Sequence, residues 1–155
     1  MPADCRRGIH LSGAAGEVVR LMSEGHIPAL TTMMGKGAID ESHPLSLGVA
    51  SYNIGPLSPA RHLRPIIERA DVVLLIGTRT NQNGTESWTL YPDGARYIHI
   101  DIDPCEVGRN YEALRLVGDA KTTLGALADQ LQGRRETAPQ LEAEIAAGRR
   151  RHEED

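Results

Sequence analysis

Apolar residues recur along this chain in two alternating rhythms. Ala15, Val18, Val19 and Met22 fall at i, i+3, i+4 and i+7. The same spacing returns in Leu63, Ile66, Ile67 and Ala70, and again in Leu124, Leu127, Ala128 and Leu131. Each set predicts a helix that lays one apolar stripe on a sheet. Ser12, Ser58 and Asp119 suit N-cap positions, and Pro59 suits a first turn. Pro65, inside the second pattern, predicts a kink or the true start of that helix. Between the helices lie short runs apolar on both faces, at 27–32, 71–77, 96–102 and 114–117. Such runs, alternating with helices, predict buried parallel strands in an α/β fold. No internal repeat is present.

The run at 96–102 carries the most chemistry. Ile98, Ile100 and Ile102 predict a β-branched strand core, and Pro104 prevents its continuation. Asp101 and Asp103 therefore stand where the strand runs out. In doubly wound folds ligands bind just beyond the carboxyl ends of parallel strands, and an acidic residue there accepts from ribose hydroxyls. Arg79, after the run at 71–77, is placed either for an anion or as a plain surface residue. Thr31-Thr-Met-Met-Gly-Lys-Gly37 is more simply an ordinary turn, although its glycines allow close approach and Lys36 suits a phosphate. Gly8, Gly13 and Gly16 lack the spacing of a dinucleotide fingerprint. The chain starts almost at that glycine turn, so the first strand is expected to be missing. Exposed sheet backbone would follow, and with it dimerisation, strand donation by another segment or low stability.

Composition narrows the classes. Net charge is −4 with mixed signs, which favours neither nucleic acid nor an anionic membrane. No apolar run approaches the ~20 residues of a transmembrane helix, and Met1-Pro-Ala-Asp-Cys-Arg-Arg7 lacks a signal-peptide core. A cytoplasmic location is the expectation. Aromatic content is 3% with no Phe, so the core must be aliphatic, which suits an α/β layer fold. Cys5 and Cys105 make neither a metal site nor a disulfide framework. Cys105 is expected to be a partly buried hydrophobe. His99, alternating with isoleucines, reads as structural and on the less apolar face. Trp88 and Tyr91 are expected to pack over a loop. Residues 134–155 read as a charged tail or linker after a domain at 1–133, with Leu141 and Ile145 able at most to anchor a short helix.

Taken in order, several segments resemble the central domain of thiamine-diphosphate-dependent enzymes of the acetolactate synthase and oxalyl-CoA decarboxylase type. They are Ser12-Gly-Ala14, Ile27-Pro28, Thr31-Thr-Met-Met-Gly-Lys-Gly-Ala38 and His43-Pro-Leu-Ser-Leu-Gly48. Next come Ala70-Asp-Val-Val-Leu-Leu-Ile-Gly-Thr-Arg79 and Ile98-His-Ile-Asp-Ile-Asp-Pro104, with Glu106-Val-Gly-Arg-Asn110 and Val117-Gly-Asp-Ala-Lys121. The resemblance covers roughly residues 8 to 131. It implies a Rossmann-like three-layer parallel sheet of six strands, of the kind that binds NAD or FAD. It also implies a scaffold between catalytic domains that bind thiamine diphosphate and Mg and act on 2-keto acids, in a homo-oligomer. FAD or ADP is the cofactor implied for the domain itself. Its implied contacts are Gly8, Thr32, Met33, Met34, Gly77, Thr78, Arg79, Asp101, Ile102 and Asp119.

The chemistry of that family is expected to lie elsewhere. Its activating glutamate belongs to another domain. Its Gly-Asp-Gly segment with a later Asn has no counterpart here, since Gly118-Asp-Ala120 is not followed by a suitable Asn. No catalytic residue and no metal ligand is therefore named in this chain. Two further readings stay open. One is a ligand-free structural or oligomerisation module, motivated by the missing strand and by Arg6-Arg7 where the family has glycines. The other is an independent nucleotide-dependent enzyme such as a sirtuin-like deacylase, which two distant cysteines leave without a zinc site.

Overall fold

The computed structural model describes residues 1–5, 7–50, 54–55, 57–133 and 139–154. The expectations for Arg6, and for 134–138 and Asp155 of the charged tail, lie outside those residues. Six strands form one sheet: β1 (Ala3–Cys5), β2 (Ala29–Thr31), β3 (Ser46–Val49), β4 (Val72–Ile76), β5 (Arg96–Asp101) and β6 (Ala113–Val117). Their order is β3-β2-β1-β4-β5-β6 and every pairing is parallel.

The first strand is present, contrary to expectation. β1 lies at the centre of the sheet, with Cys5 opposite both Thr31 of β2 and Ile76 of β4. Its sequence, Ala-Asp-Cys, has no β-branched residue and carries a charge, so no local pattern announces it. Parallel neighbours on both sides supply the hydrogen bonds, and every β1 residue is buried. The exposed sheet centre that argued for dimerisation or low stability does not exist. Burial, then the neighbouring Asp4, push the Cys5 thiol well above its usual range, so it is a thiol at neutral pH.

Among the described residues the helices are α1 (Arg7–Ser12), α2 (Ala15–Gly25), α3 (Arg64–Glu68), α4 (Ala120–Leu131) and α5 (Pro139–Glu154). The chain runs β1 to β3 in one direction and β4 to β6 in the other. Right-handed crossovers then place α1 and α2 on one face and α3 on the opposite one. α4 returns against α2, and α5 rests on the turn Pro59–Leu63 that leads into α3. The buried stripe of α2 is Val18, Leu21, Met22 and Gly25, with Val19 at its margin.

Several local expectations hold. Pro65 lies in the first turn of α3, which starts at Arg64. Asp119 caps α4, accepting from Thr122 N at 2.9 Å. Ser58 stands at the N-cap of the turn Pro59–Leu63 without a side-chain capping bond, and Ser12 is not a cap. Ser12 ends α1, its hydroxyl donating back to Gly8 O at 2.8 Å, and Ser58 donates to Gly55 O.

Residues 139–154 are not a solvated tail. α5 fully buries Ile145, and Arg149 donates to His43 O at 2.8 Å and Ser46 O at 2.5 Å. Burial lowers the pKa of Arg149. Cys105 and Ile102 are exposed, since both follow the end of β5. Tyr91 is buried edge-on to Tyr111, while Trp88 is half exposed. No helix among the described residues is long and apolar enough to cross a membrane.

Candidate functional site

Because all strands are parallel, their carboxyl ends share one edge. The strand order reverses between β1 and β4, and a crevice for a ligand opens at such a switch point. Here the first turn of α1 and the loop after β4 meet backbone to backbone. A Cβ placed on Gly8 would lie 2.6 Å from Gly77 Cα, and one on Gly77 would lie 2.7 Å from Gly8 Cα. Gly77 also holds φ at +57°, the left-handed region that favours glycine. Only a pair of glycines allows this approach, and both remain partly exposed.

The other expected contacts stand on the same edge. Thr32 follows β2, its amide donating to Cys5 O at 3.0 Å. Thr32 is buried, and its hydroxyl oxygen has no hydrogen-bond partner among the described residues. Met33 and Met34 open the next turn with exposed side chains. Thr78 is buried, its hydroxyl accepting from Thr80 N at 3.1 Å. Arg79 is exposed, its Nε 4.0 Å from Glu106 Oε1. Asp101 ends β5, and one carboxylate oxygen accepts from Asp103 N at 3.0 Å. Its backbone carbonyl receives Gly118 N at 2.9 Å, which brings the Asp119 cap alongside. The Thr122 amide, above all, holds the Asp119 carboxyl below its usual range.

The structure thus gathers all ten residues on one edge, in two groups. Gly8, Gly77 and Thr32 surround the switch point, while Asp101, Ile102 and Asp119 flank β5 and β6. The side chains of Thr78 and Asp119 are already engaged in local structure. Lys36, the alternative phosphate ligand, pairs instead with Glu41 at 3.5 Å. No group of three or more metal-ligating side chains exists among the described residues.

The sequence profile of the thiamine pyrophosphate enzyme central domain matches residues 5–127. The chain belongs to this family. This central domain is 39% identical over 125 residues to a probable acetolactate synthase large subunit of Methanococcus aeolicus, covering 80% of the chain and 20% of that protein. It is 38% identical over 118 residues to a probable acetolactate synthase large subunit of Methanocaldococcus jannaschii, covering 76% and 19%. An acetolactate synthase of Arthrospira platensis is 37% identical over 126 residues, covering 81% and 21%. The chain therefore spans about a fifth of the length of these relatives.

Three further residues hold the central domain's carboxyl edge together, and sequence reasoning gave none of them a role there. His99 is structural as expected, but it is buried, and it joins two loops of the edge. Its Nδ1 accepts from Gly108 N at 3.0 Å, so Nε2 carries the proton and donates to Thr78 O at 2.9 Å. The Trp88 indole donates to Thr80 O at 2.9 Å, and Asn110 reaches the same carbonyl at 3.1 Å. Alternation could not reveal Trp88 or Asn110, because their partners are backbone groups 8 and 30 residues away.

His99 makes a pH prediction. Burial, outweighing the Thr78 bond and nearby acids, lowers its pKa from 6.5. The folded protein then binds fewer protons than the unfolded chain as pH falls below about 6.5. This contribution to stability is complete above that value and is lost as pH falls through the lowered folded pKa. Denaturation midpoints at pH 5 and pH 7.5 should differ less in His99→Gln than in the parent. An equal pH dependence in both proteins would remove His99 as its source.

Proposed function

We propose that this central domain serves as scaffold in an acetolactate synthase-like enzyme acting on 2-keto acids, and that it holds an adenine nucleotide, FAD or ADP, at the β1–β4 switch point. The observation that carries this reading is the Gly8–Gly77 contact, which leaves backbone free of side chains where the strand order reverses. Supporting features fit a nucleotide's parts. Asp101 keeps one carboxylate oxygen free of hydrogen bonds within the described residues, which suits a ribose hydroxyl. Thr32 offers an unmet buried hydroxyl, a cost that a bound group's polar atom relieves. Arg79 stands exposed for phosphate. Thiamine diphosphate with Mg would supply the carbanion chemistry from the partner catalytic domains. This chain's residues would bind and orient the nucleotide and carry no bond-making role.

A thermal-shift titration with FAD, ADP and CoA tests the reading. A ligand at 100 times its Kd stabilises by about 2.7 kcal/mol. That corresponds to a rise of roughly 5–10 °C for a chain of this size. A saturable rise with FAD or ADP is the expected result. No shift with any of the three leaves the ligand-free scaffold as the better description.

A further inference from the structure

The loop after β4 is gripped from outside by three side chains. His99 donates to Thr78 O at 2.9 Å. Asn110 shares its Nδ2 hydrogens among Arg79 O at 3.2 Å, Thr80 O at 3.1 Å and Thr80 Oγ1 at 2.9 Å. Trp88 Nε1 donates to the same Thr80 carbonyl at 2.9 Å. Three consecutive carbonyls are thus held by residues of β5, of the β5–β6 loop and of the turn after 81. The strand needs none of this, because β4 closes with Gly77 N bonded to Ile100 O at 2.8 Å.

The grip holds an unfavourable backbone. Thr80 has φ +46°, and a β-branched residue rarely adopts that region. Glu86, Ser87 and Trp88 follow with φ of 51°, 57° and 63°. Arg64 pairs with Glu86 and ties this second strained turn to α3. Such conformations persist only where the surroundings over-determine them, and they gather at ligand sites. The residue between the clamped carbonyls is Arg79. Its guanidinium is exposed, and its backbone carbonyl is fixed by Asn110.

We infer that Asn110 is a positioning residue of the carboxyl-edge site: it locks the Thr78–Thr80 loop, so that Arg79 faces an incoming nucleotide in one arrangement before the ligand arrives. This rests on the nucleotide reading above. Its benefit is preorganisation, since a loop already ordered loses less freedom on binding. Asn110 itself touches no ligand in this scheme.

The protein carries its own reporter. Trp88 is the single tryptophan, half exposed, and it shares an acceptor with Asn110. The test compares the full chain with Asn110→Ala and with Asn110→Asp, which keeps the shape but loses the donor. Calorimetric titration with ADP should show Kd weakened about tenfold or more in both variants, as expected when ordering is deferred to the binding step. Trp88 emission should change in both before any ADP is added. A purely structural Asn110 would lower the melting temperature and leave Kd of the folded protein unaltered. Kd within twofold of wild type, or unchanged Trp88 emission, overturns the inference while the nucleotide reading stands. Failure of the wild type to bind ADP, FAD or CoA overturns both. Should the variants not fold, hydrogen exchange of the wild type decides. The buried Thr80 amide donates to Thr78 Oγ1, so its protection before ADP supports the preformed loop, and protection gained only with ADP contradicts it.

Discussion

Gly77→Ala should destabilise the domain by about 2–5 kcal/mol. Two independent terms add. A non-glycine residue in the left-handed region costs roughly 1–2 kcal/mol. The new methyl would also meet Gly8 Cα at 2.7 Å and Gly8 C at 3.1 Å. Those atoms are backbone in the first turn of α1 and cannot rotate away, so overpacking costs roughly 1–3 kcal/mol more. Gly8→Ala meets Gly77 Cα at 2.6 Å and should also destabilise, through the packing term alone. Gly16, in α2, has nothing within 4 Å of its built Cβ. Gly16→Ala should therefore stabilise by about 0.5–1 kcal/mol, the ordinary helix preference for alanine. Urea denaturation of the three variants reads these differences. A Gly77→Ala midpoint equal to the wild type would mean that the two segments do not touch.

Ile145→Ala should cost about 2–5 kcal/mol, the usual range for emptying a buried isoleucine site. A solvated tail predicts almost no change. Ile145 is fully buried in α5, and Gly148 packs so tightly that a Cβ would lie 2.6 Å from Leu63 Cδ2. The polar contacts add specificity more than energy. Arg149 binds two backbone carbonyls at the start of β3, while Arg69 and Glu144 form an exposed pair. Exposed pairs contribute little, although Arg69 does hold the Glu144 carboxyl below its usual range. The same urea titration distinguishes a shift of the midpoint from none.

Much of this architecture was legible before the structure. The apolar run of β4 and the stripes of α2 and α4 announce themselves by period, and Pro65 and Asp119 mark helix starts by their own chemistry. Parallel strands then place every strand-end residue on one edge, which is why the ten nominated positions share it. What escaped was short or non-local. β1 is a three-residue strand with a buried Asp4, and only its neighbours define it. β3 has little more length. Among its described side chains, α5 buries one large residue in a strongly charged segment, too weak a periodicity to outweigh its composition. Ile102 continues the alternation of β5 past the point where the strand ends, so pattern alone placed it inside. The clamp on Thr80 joins side chains and carbonyls far apart in sequence, and no local period encodes such a contact.

The central claim is that a nucleotide binds where the strand order reverses. Amide chemical-shift mapping of the full chain with ADP tests it most directly. Saturable shifts are expected at Gly8, Thr32, Gly77, Thr78, Arg79 and Asp101, with the far edge of the sheet, at Ala3, Ala29 and Val72, unchanged. Shifts scattered over the surface, or confined to α5, or absent at saturating ADP, would contradict it.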